Sequence, residues 1–162
     1  MARGLIVGCG CRGRELGTEL VGLGWQVRGT SRSPDGLEAI EAAGLEAAEA
    51  DPDRPGTVLQ LCGDVAVVVW LLGSATGDPE TVSAIHRPRL ERLLERLVDT
   101  PVRGFAYEAI GSVDSELLDG GRQLVERAGE TWHIPVGLIT ADRDEPGWAV
   151  TTAASVASLV TR

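Results

Sequence analysis

Short apolar runs alternate with amphipathic stretches along most of the chain. The runs are rich in Val, Leu and Ile, whereas the stretches between them carry apolar residues at helical spacing. This alternation predicts strands at residues 5–7, 25–30, 45–50, 64–72, 102–109 and 134–140. It predicts helices at residues 12–23, 34–43, 55–62, 80–99, 117–128 and 148–160, the fourth bent or restarted at Pro88.

The fourth apolar run is nearly continuous, which is typical of a strand buried on both faces of a parallel sheet. Strands that alternate with helical crossovers build a doubly wound arrangement. We therefore expect an α/β fold, a Rossmann-like parallel sheet of about six strands in three layers, in the order 3-2-1-4-5-6. The chain of 162 residues is expected to form one domain, residues 1–162.

A glycine-rich turn joins the first predicted strand to the first predicted helix. Its residues read G-C-G-C-R-G, which has the spacing G-x-G-x-x-G. Such a turn lets the backbone approach a pyrophosphate closely, and the helix that follows directs its free N–H groups at the anion. A merely structural tight turn is the alternative. The residues predicted to bind a dinucleotide here are Gly8, Gly10, Cys11, Arg12 and Gly13.

The end of the second predicted strand distinguishes NADP from NAD. An NAD site carries an Asp or Glu there to accept the ribose 2′-hydroxyl. This chain has Thr30, Ser31 and Arg32 instead, and the guanidinium fork suits a phosphate. With Arg12 approaching the same phosphate and Arg28 completing a local positive patch, NADP(H) is favoured over NAD(H). Alternatively, Arg32 is an ordinary surface residue.

These features resemble the cofactor-binding half of the extended and atypical short-chain dehydrogenase/reductase superfamily, whose members include NAD-dependent epimerases. The resemblance implies that Asp51 contacts the adenine and that Leu72, Gly73 and Ser74 line the ribose on the nicotinamide side. Asp51 is equally well explained as a turn former ahead of the proline that follows it. The resemblance covers roughly the first half of the chain, at residues 4–33, 50–51 and 65–73.

The chain departs from that superfamily at the catalytic pair. Active members use Tyr-x-x-x-Lys, in which the lysine lowers the pKa of the tyrosine, but this sequence contains no lysine. Its one tyrosine, Tyr107, falls in the fifth predicted strand, where we expect it to pack in the core. The catalytic residues are therefore unassigned, and the candidates are Tyr107, Glu108 as an acid or base, and Ser112 as a carbonyl-orienting hydroxyl.

Each of these candidates has an ordinary alternative. Glu108 can be a solvated surface carboxylate, and Ser112 can cap the helix that begins near Asp114. His86, in the helix after the fourth strand, is expected on the helix surface among arginines. His133 is expected to be a residue at the entry to the sixth strand.

Charge and composition exclude several classes of partner. A net charge of −9 and a pI near 4.7 argue against nucleic acid and anionic membranes as partners. The longest apolar run is too short to span a bilayer and no signal peptide is visible, so a cytoplasmic location is expected. The three cysteines show no metal-binding spacing. Cys9 and Cys11 are small residues of the turn or, alternatively, thiols activated by the helix N-terminus.

Two functions follow from these patterns. The favoured one is an NADP(H)-binding or redox-sensing protein without standard short-chain dehydrogenase catalysis. The alternative is an NADP(H)-dependent oxidoreductase or epimerase-like enzyme with atypical catalytic residues and an unidentified small-molecule substrate. Extended members carry a substrate lobe after the sixth strand, so here a second subunit of a homodimer can supply the enclosure, although residues 148–160 are favoured to cover the sheet. A Rossmann-like domain for another nucleotide is a third interpretation.

Overall fold

The computed structural model describes residues 2–161, in which a six-stranded sheet carries helices on both faces. The strands are β1 (Arg3–Val7), β2 (Gln26–Ser31), β3 (Glu46–Glu49), β4 (Val67–Trp70), β5 (Phe105–Glu108) and β6 (Val136–Ile139). The helices are α1 (Cys11–Gly22), α2 (Pro34–Ala42), α3 (Pro55–Leu59), α4 (Pro79–His86), α5 (Pro88–Leu97), α6 (Ser115–Trp132) and α7 (Trp148–Ser158).

The strand order is β3-β2-β1-β4-β5-β6, and every neighbouring pair is parallel, which confirms the predicted fold. At the centre, Gly4 of β1 pairs with Val27 of β2 on one side and with Val67 of β4 on the other. The order reverses between β1 and β4, so the crossovers that follow them leave in opposite directions. Their carboxyl ends consequently border a crevice, which is where such sheets bind ligands.

β4 shows why its apolar run is continuous. Val67 and Val69 belong to the core cluster shared with α1, α2 and α7, whereas Val68 and Trp70 belong to the cluster under α3, α4, α5 and α6. All four side chains are fully buried. Because alternate side chains point to opposite faces, a strand covered on both faces must be apolar at every position.

The strands β3 to β6 are shorter than predicted because apolar residues continue into buried loops, whereas β1 begins two residues earlier than predicted. Residues 64–72 were predicted as one strand, yet the β4 ladder ends at Trp70. Leu71 and Leu72 stay buried beyond it and turn into the crevice wall. The Leu71 N–H still donates to the Val7 carbonyl at 2.9 Å, but Leu72 is buried beyond the last strand hydrogen bond, so hydropathy alone overestimates the strand.

α6 is longer than predicted, Ser115–Trp132 rather than residues 117–128. Asp114 caps it by accepting a hydrogen bond from the Glu116 N–H at 2.9 Å. Glycines within the segment weaken its helical propensity, but packing overrides that weakness. At Gly121 the hydroxyl of Tyr107 lies where a Cβ would project, so only glycine leaves room for the tyrosine. His133 ends the helix in the left-handed conformation at φ 56.

α7 covers the sheet, as predicted. Trp148, Ala153 and Val156 are buried in the same cluster as Ile6 and Val69. The helix also packs beside α1. Within residues 2–161, no helix is both long and apolar enough to cross a bilayer.

Candidate functional site

A cleft of about 350 Å³ opens at the carboxyl ends of β1, β2 and β4. Most residues of the predicted dinucleotide site line it: Gly8, Gly10, Thr30, Ser31, Arg32, Asp51 and Leu72. The other predicted residues, Cys11, Arg12, Gly13 and Gly73, do not line it. The cleft is also lined by residues that were not predicted to belong to a binding site, including Arg14, Thr81, Val82, Ile85 and Arg143.

The glycines of the turn have three different surroundings. Gly8 has φ +86, and a Cβ there would lie 2.6 Å from the carbonyl oxygen of Leu71, so the turn requires glycine. A Cβ on Gly10 would meet nothing within 4 Å, which leaves that edge of the turn open to the cleft. Gly13 is buried, and a Cβ there would lie 3.3 Å from the Cys9 sulfur. The turn therefore combines a strained reversal with an accessible backbone.

The N-terminus of α1 faces this turn without an internal anion. Its N-cap residue Gly10 has no side chain to cap the helix, and no acidic residue occupies the first turn. In α2, by contrast, the Ser33 hydroxyl accepts the Gly36 N–H at 3.1 Å and Asp35 lies in the first turn. The free N–H groups of α1 and the positive end of its dipole are thus available to an anionic ligand.

Arg14 lines the cleft and Arg12, the predicted residue, does not. Arg12 turns away from the cleft and its guanidinium binds the carboxylates of Glu15 at 3.0 Å and Asp144 at 3.1 Å. Arg14 lines the cleft and forms no side-chain hydrogen bond or ion pair with the residues that the structure describes. The sequence spacing could have identified Arg14, because it is four residues after Gly10 and therefore lies on the same face of the helix.

The end of β2 presents hydroxyls and a free cation. Thr30 is buried, and the Ser31 hydroxyl accepts a hydrogen bond from the Ser33 N–H at 3.2 Å. Arg32 is exposed, lines the cleft and has no ion-pair partner within residues 2–161. Asp51 is the one acidic residue among the described residues that line the cleft.

The expected positive patch does not include Arg28. Its Nε binds Glu46 at 2.9 Å and its Nη1 binds Asp64 at 2.8 Å and the Leu61 carbonyl at 2.7 Å. These partners lie near the amino ends of β3 and β4, because Arg28 pairs in register with Glu46. The prediction for Arg28 was wrong: cross-strand pairing holds its side chain away from the carboxyl edge.

Asp51 forms a turn at the edge of the cleft. Its Oδ1 accepts the Asp53 N–H at 2.9 Å, which makes it a turn former. Its backbone N–H also donates to the Thr57 hydroxyl at 2.9 Å. The residue lines the cleft at the same time. Forming the turn therefore fixes Asp51 beside the space predicted for the adenine.

Glu108 is not a solvated carboxylate. Its side chain is 1% exposed and binds Arg143 through two hydrogen bonds, from Nη2 at 2.7 Å and from Nε at 3.2 Å. The Gly73 N–H donates to the same carboxylate at 2.8 Å. Glu108 thus joins the loops that follow β4 and β6 and holds Arg143 at the edge of the cleft.

Tyr107 and His86 form a buried pair beneath the cleft. The Nε2 of His86 lies 2.9 Å from the Leu72 carbonyl oxygen, which can only accept, so Nε2 carries the proton. Nδ1 then accepts the Tyr107 hydroxyl at 2.7 Å. Burial lowers the pKa of His86 and raises that of Tyr107. The expected surface position of His86 was wrong, because these two partners draw it inward.

Two smaller expectations are settled by position. Ser112 does not cap α6, because Asp114 does. The backbone N–H of Ser112 donates to the Ser74 hydroxyl at 3.2 Å. Burial raises the pKa of the Cys9 thiol to about 12. The interpretation that the helix N-terminus activates this thiol was therefore wrong. Cys11 is exposed at the start of α1.

Known proteins resemble the chain in fold rather than in sequence. No protein-family model and no curated protein matches it. Triphenylmethane reductase from Citrobacter sp., solved with NADP(H), is 17% identical at a TM-score of 0.62, covering 84% of this chain and 48% of that one. UDP-glucuronic acid 4-epimerase from Bacillus cereus, solved with NAD and a fluorinated UDP-sugar, is 16% identical at a TM-score of 0.65. The match covers 84% of this chain and 55% of the epimerase. A short-chain dehydrogenase from Streptomyces avermitilis is 18% identical at a TM-score of 0.65. The match covers 97% of this chain and 78% of the dehydrogenase.

These likenesses confirm the predicted resemblance at the level of the fold. At such low identity they carry no residue-by-residue correspondence. The chain spans about half the length of the reductase and of the epimerase.

Proposed function

We propose that the chain binds NADP(H) in this cleft and acts as a cofactor-binding or redox-sensing protein. The observation that carries the proposal is a pair of arginines, Arg14 of α1 and Arg32 after β2, that line the same cleft and have no ion-pair partner in the described part of the chain. In a chain of net charge −9, cations without an internal partner are available to an external anion. The 2′-phosphate of NADP(H) is that anion, and Ser31 lies beside it.

The glycine turn supplies the second phosphate contact. Open backbone at Gly10 and uncapped N–H groups in the first turn of α1 suit the pyrophosphate. Asp51 lies beside the adenine, and Leu72 and Ser74 lie on the nicotinamide side. Two solved structures of this fold, the reductase and the epimerase, hold NADP(H) and NAD respectively.

A role without standard short-chain dehydrogenase chemistry is supported by the position of the tyrosine. Tyr107 is fully buried, its hydroxyl donates to His86, and it does not line the cleft. Burial, with the neighbouring Glu108 charge, raises its pKa, so it is a poor proton donor to a ligand. The sequence also contains no lysine to lower that pKa.

The second candidate, an NADP(H)-dependent oxidoreductase, is favoured by one observation. Arg143 lines both the cleft and an adjoining cavity of about 210 Å³ at the carboxyl ends of β5 and β6. In this candidate Glu108 positions Arg143 and is not itself the acid or base. We also propose that residues 1–162 act as one domain, in the cytoplasm, and that a homodimer partner completes the enclosure.

Calorimetric titration of the purified protein, freed of bound nucleotide, with NADPH and NADH tests the proposal. NADPH is expected to bind at least tenfold more tightly than NADH, about 1.4 kcal/mol. Substituting Arg32→Ala is expected to weaken NADPH by about 1.5–3 kcal/mol and leave NADH nearly unchanged. Absence of NADPH binding, or equal losses for both cofactors, would overturn it.

Arg92→Ala is the matched control. Arg92 is an exposed arginine of α5 with no ion pair among the described residues and does not line the cleft, so the substitution makes the same change in net charge outside the site. Its affinities for NADPH and NADH should equal those of the parent protein. If Arg92→Ala weakened NADPH as much as Arg32→Ala, net charge rather than a phosphate site would explain the loss.

A further inference from the structure

The cavity beside the cleft has its own composition. We call it the side cavity; it is lined by Ser74 and by residues 110–112 and 142–144, and it shares Ser74 and Arg143 with the cleft. It therefore adjoins the part of the cleft that we assign to the nicotinamide side. Its backbone lining includes Gly111, which is in close contact with Gly73.

Arg143 presents donors to this cavity. Its Nε and Nη2 bind the buried carboxylate of Glu108, whereas Nη1 forms no hydrogen bond with any residue from 2 to 161. Glu108 is itself held by the Gly73 N–H. The guanidinium is thus oriented by one edge, and its free N–H groups are available to an acceptor oxygen.

The charges around the side cavity disfavour an anion. Arg143 is neutralised by Glu108, and Asp144 is neutralised by Arg12 at 3.1 Å. Asp142 lines the cavity without a cationic partner among the described residues, so these five side chains sum to −1. The cleft differs, since Arg14 and Arg32 there outnumber Asp51 once Arg143 is paired with Glu108. The side cavity suits an uncharged ligand with an acceptor oxygen.

We propose that the side cavity binds a small uncharged molecule with a carbonyl or hydroxyl oxygen, which accepts a hydrogen bond from Arg143 Nη1. Ser112 and Asp142 offer acceptors for a hydroxyl of the same ligand. Glu108 is the positioning residue. This proposal rests on the proposed cofactor site, because the side cavity adjoins the nicotinamide side of that site. Binding of the small molecule can nevertheless be measured separately from binding of the cofactor.

The test uses three probes that share one ring: cyclohexanone, cyclohexanol and cyclohexanecarboxylate. Saturation-transfer difference NMR is recorded on the whole chain, with and without NADPH. Signals are expected for the ketone and the alcohol and not for the carboxylate. Equal or stronger signals for the carboxylate, or no signal for any probe in either state, would overturn the proposal.

Removing Arg143 alone leaves Glu108 buried and unpaired, which can prevent folding. The variant is therefore the double substitution Glu108→Gln with Arg143→Met, which removes both charges and keeps the side-chain volumes similar. It is expected to lose the ketone signal while Arg92→Ala keeps it. A folded double variant with the full ketone signal would show that the pair only joins the loops, and would contradict the assignment.

Asp142→Asn provides an independent check of the charge argument. The substitution raises the summed charge of the side cavity from −1 to zero, so the carboxylate signal should increase relative to the ketone signal. An unchanged ratio would count against the proposed charge selectivity. The NADPH titration on the same samples separates this result from the fate of the cofactor site, because either can fail while the other holds.

Discussion

Arginines at the two edges of the sheet have opposite surroundings. At the amino edge, Arg3 and Arg28 share Glu46 and Asp64 in a closed group of four, which we call the amino-edge cluster, with ion pairs of 2.7–3.1 Å. At the carboxyl edge, Arg14 and Arg32 line the cleft and have no ion pair within the described part of the chain.

The two groups differ in pairing and not in residue type. The amino-edge cluster satisfies its charges internally, and the hydrogen bond from Arg28 is the main cause of the lowered pKa of Asp64. Arg14 and Arg32, by contrast, have no carboxylate partner within residues 2–161. In an acidic protein, keeping two cations away from abundant carboxylates points to an anionic ligand.

The largest effect is expected from removing both carboxyl-edge cations. The double substitution Arg14→Ala with Arg32→Ala should weaken NADPH by about 3–6 kcal/mol if each guanidinium makes a charged hydrogen bond to the 2′-phosphate. The change in unfolding free energy should be small because neither side chain has an internal partner. Titration calorimetry and chemical denaturation measure the two quantities. A large loss of stability with unchanged NADPH binding would show that Arg14 and Arg32 have a structural role instead.

A smaller effect is expected from giving the carboxyl edge a carboxylate. Ser31→Asp places an acid at the end of β2, where it can pair with Arg32 and repel a 2′-phosphate. NADPH should weaken by about 1–3 kcal/mol while NADH is unchanged or tighter. Ser31→Asn has nearly the same shape without the charge and should leave the preference for NADPH in place. If both variants behave alike, charge is not the reason.

Breaking the amino edge should affect stability and not binding. Arg28→Ala removes hydrogen bonds to Glu46, Asp64 and the Leu61 carbonyl and should lower the free energy of unfolding by about 1–3 kcal/mol. NADPH affinity should stay at the parental value. Arg89→Ala, which breaks the exposed pair with Asp53, is the control and should lower stability by less than about 1 kcal/mol. Loss of NADPH binding in Arg28→Ala would return Arg28 to the cofactor site.

The smallest effect is the acid sensitivity of the amino edge. The pKa of Asp64 is lowered in the folded protein, so its contribution is present above its unfolded pKa, about 3.9, and is lost as pH falls through the folded value. For this exposed pair we expect less than about 1 kcal/mol. Denaturation of the parent and Asp64→Asn between pH 6 and pH 3 should show the two curves converging toward acid. Divergence would contradict the sign.

His86 titrates in both of those proteins and cancels in the difference. Its folded pKa is lowered by burial, so the neutral form is favoured in the folded state, and stability falls in both as pH drops below its unfolded value, about 6.5.

The sequence predicted the layout of the sheet well because its signals are local. The apolar runs, the glycine turn and the alternation with helices fix six parallel strands and their order. The predictions that failed concern side chains whose partners are distant in sequence. Arg28 is held by Asp64, His86 by Tyr107, and Glu108 by Arg143, and none of these pairings has a local signal.

The exchange of Arg12 for Arg14 is a different kind of miss. Both arginines lie in the first turn and a half of α1, and only the direction of each side chain separates them. Arg12 has Glu15 three residues later as a local partner, and Arg14 is four residues from the open Gly10. Helical spacing therefore separates the directions of these two side chains, whereas the G-x-G-x-x-G pattern does not.

The central position of β1 beside β4 ties ligand binding to the assembly of the whole sheet. The two strands are adjacent in space but far apart in sequence, so the cleft exists only after a long-range closure that is slow to form. A ligand held there binds the native state and not the unfolded chain. At a concentration one hundred times its Kd it would add about 2.7 kcal/mol to the unfolding free energy. If the proposed cofactor is that ligand, its concentration would raise the fraction of the protein that is folded.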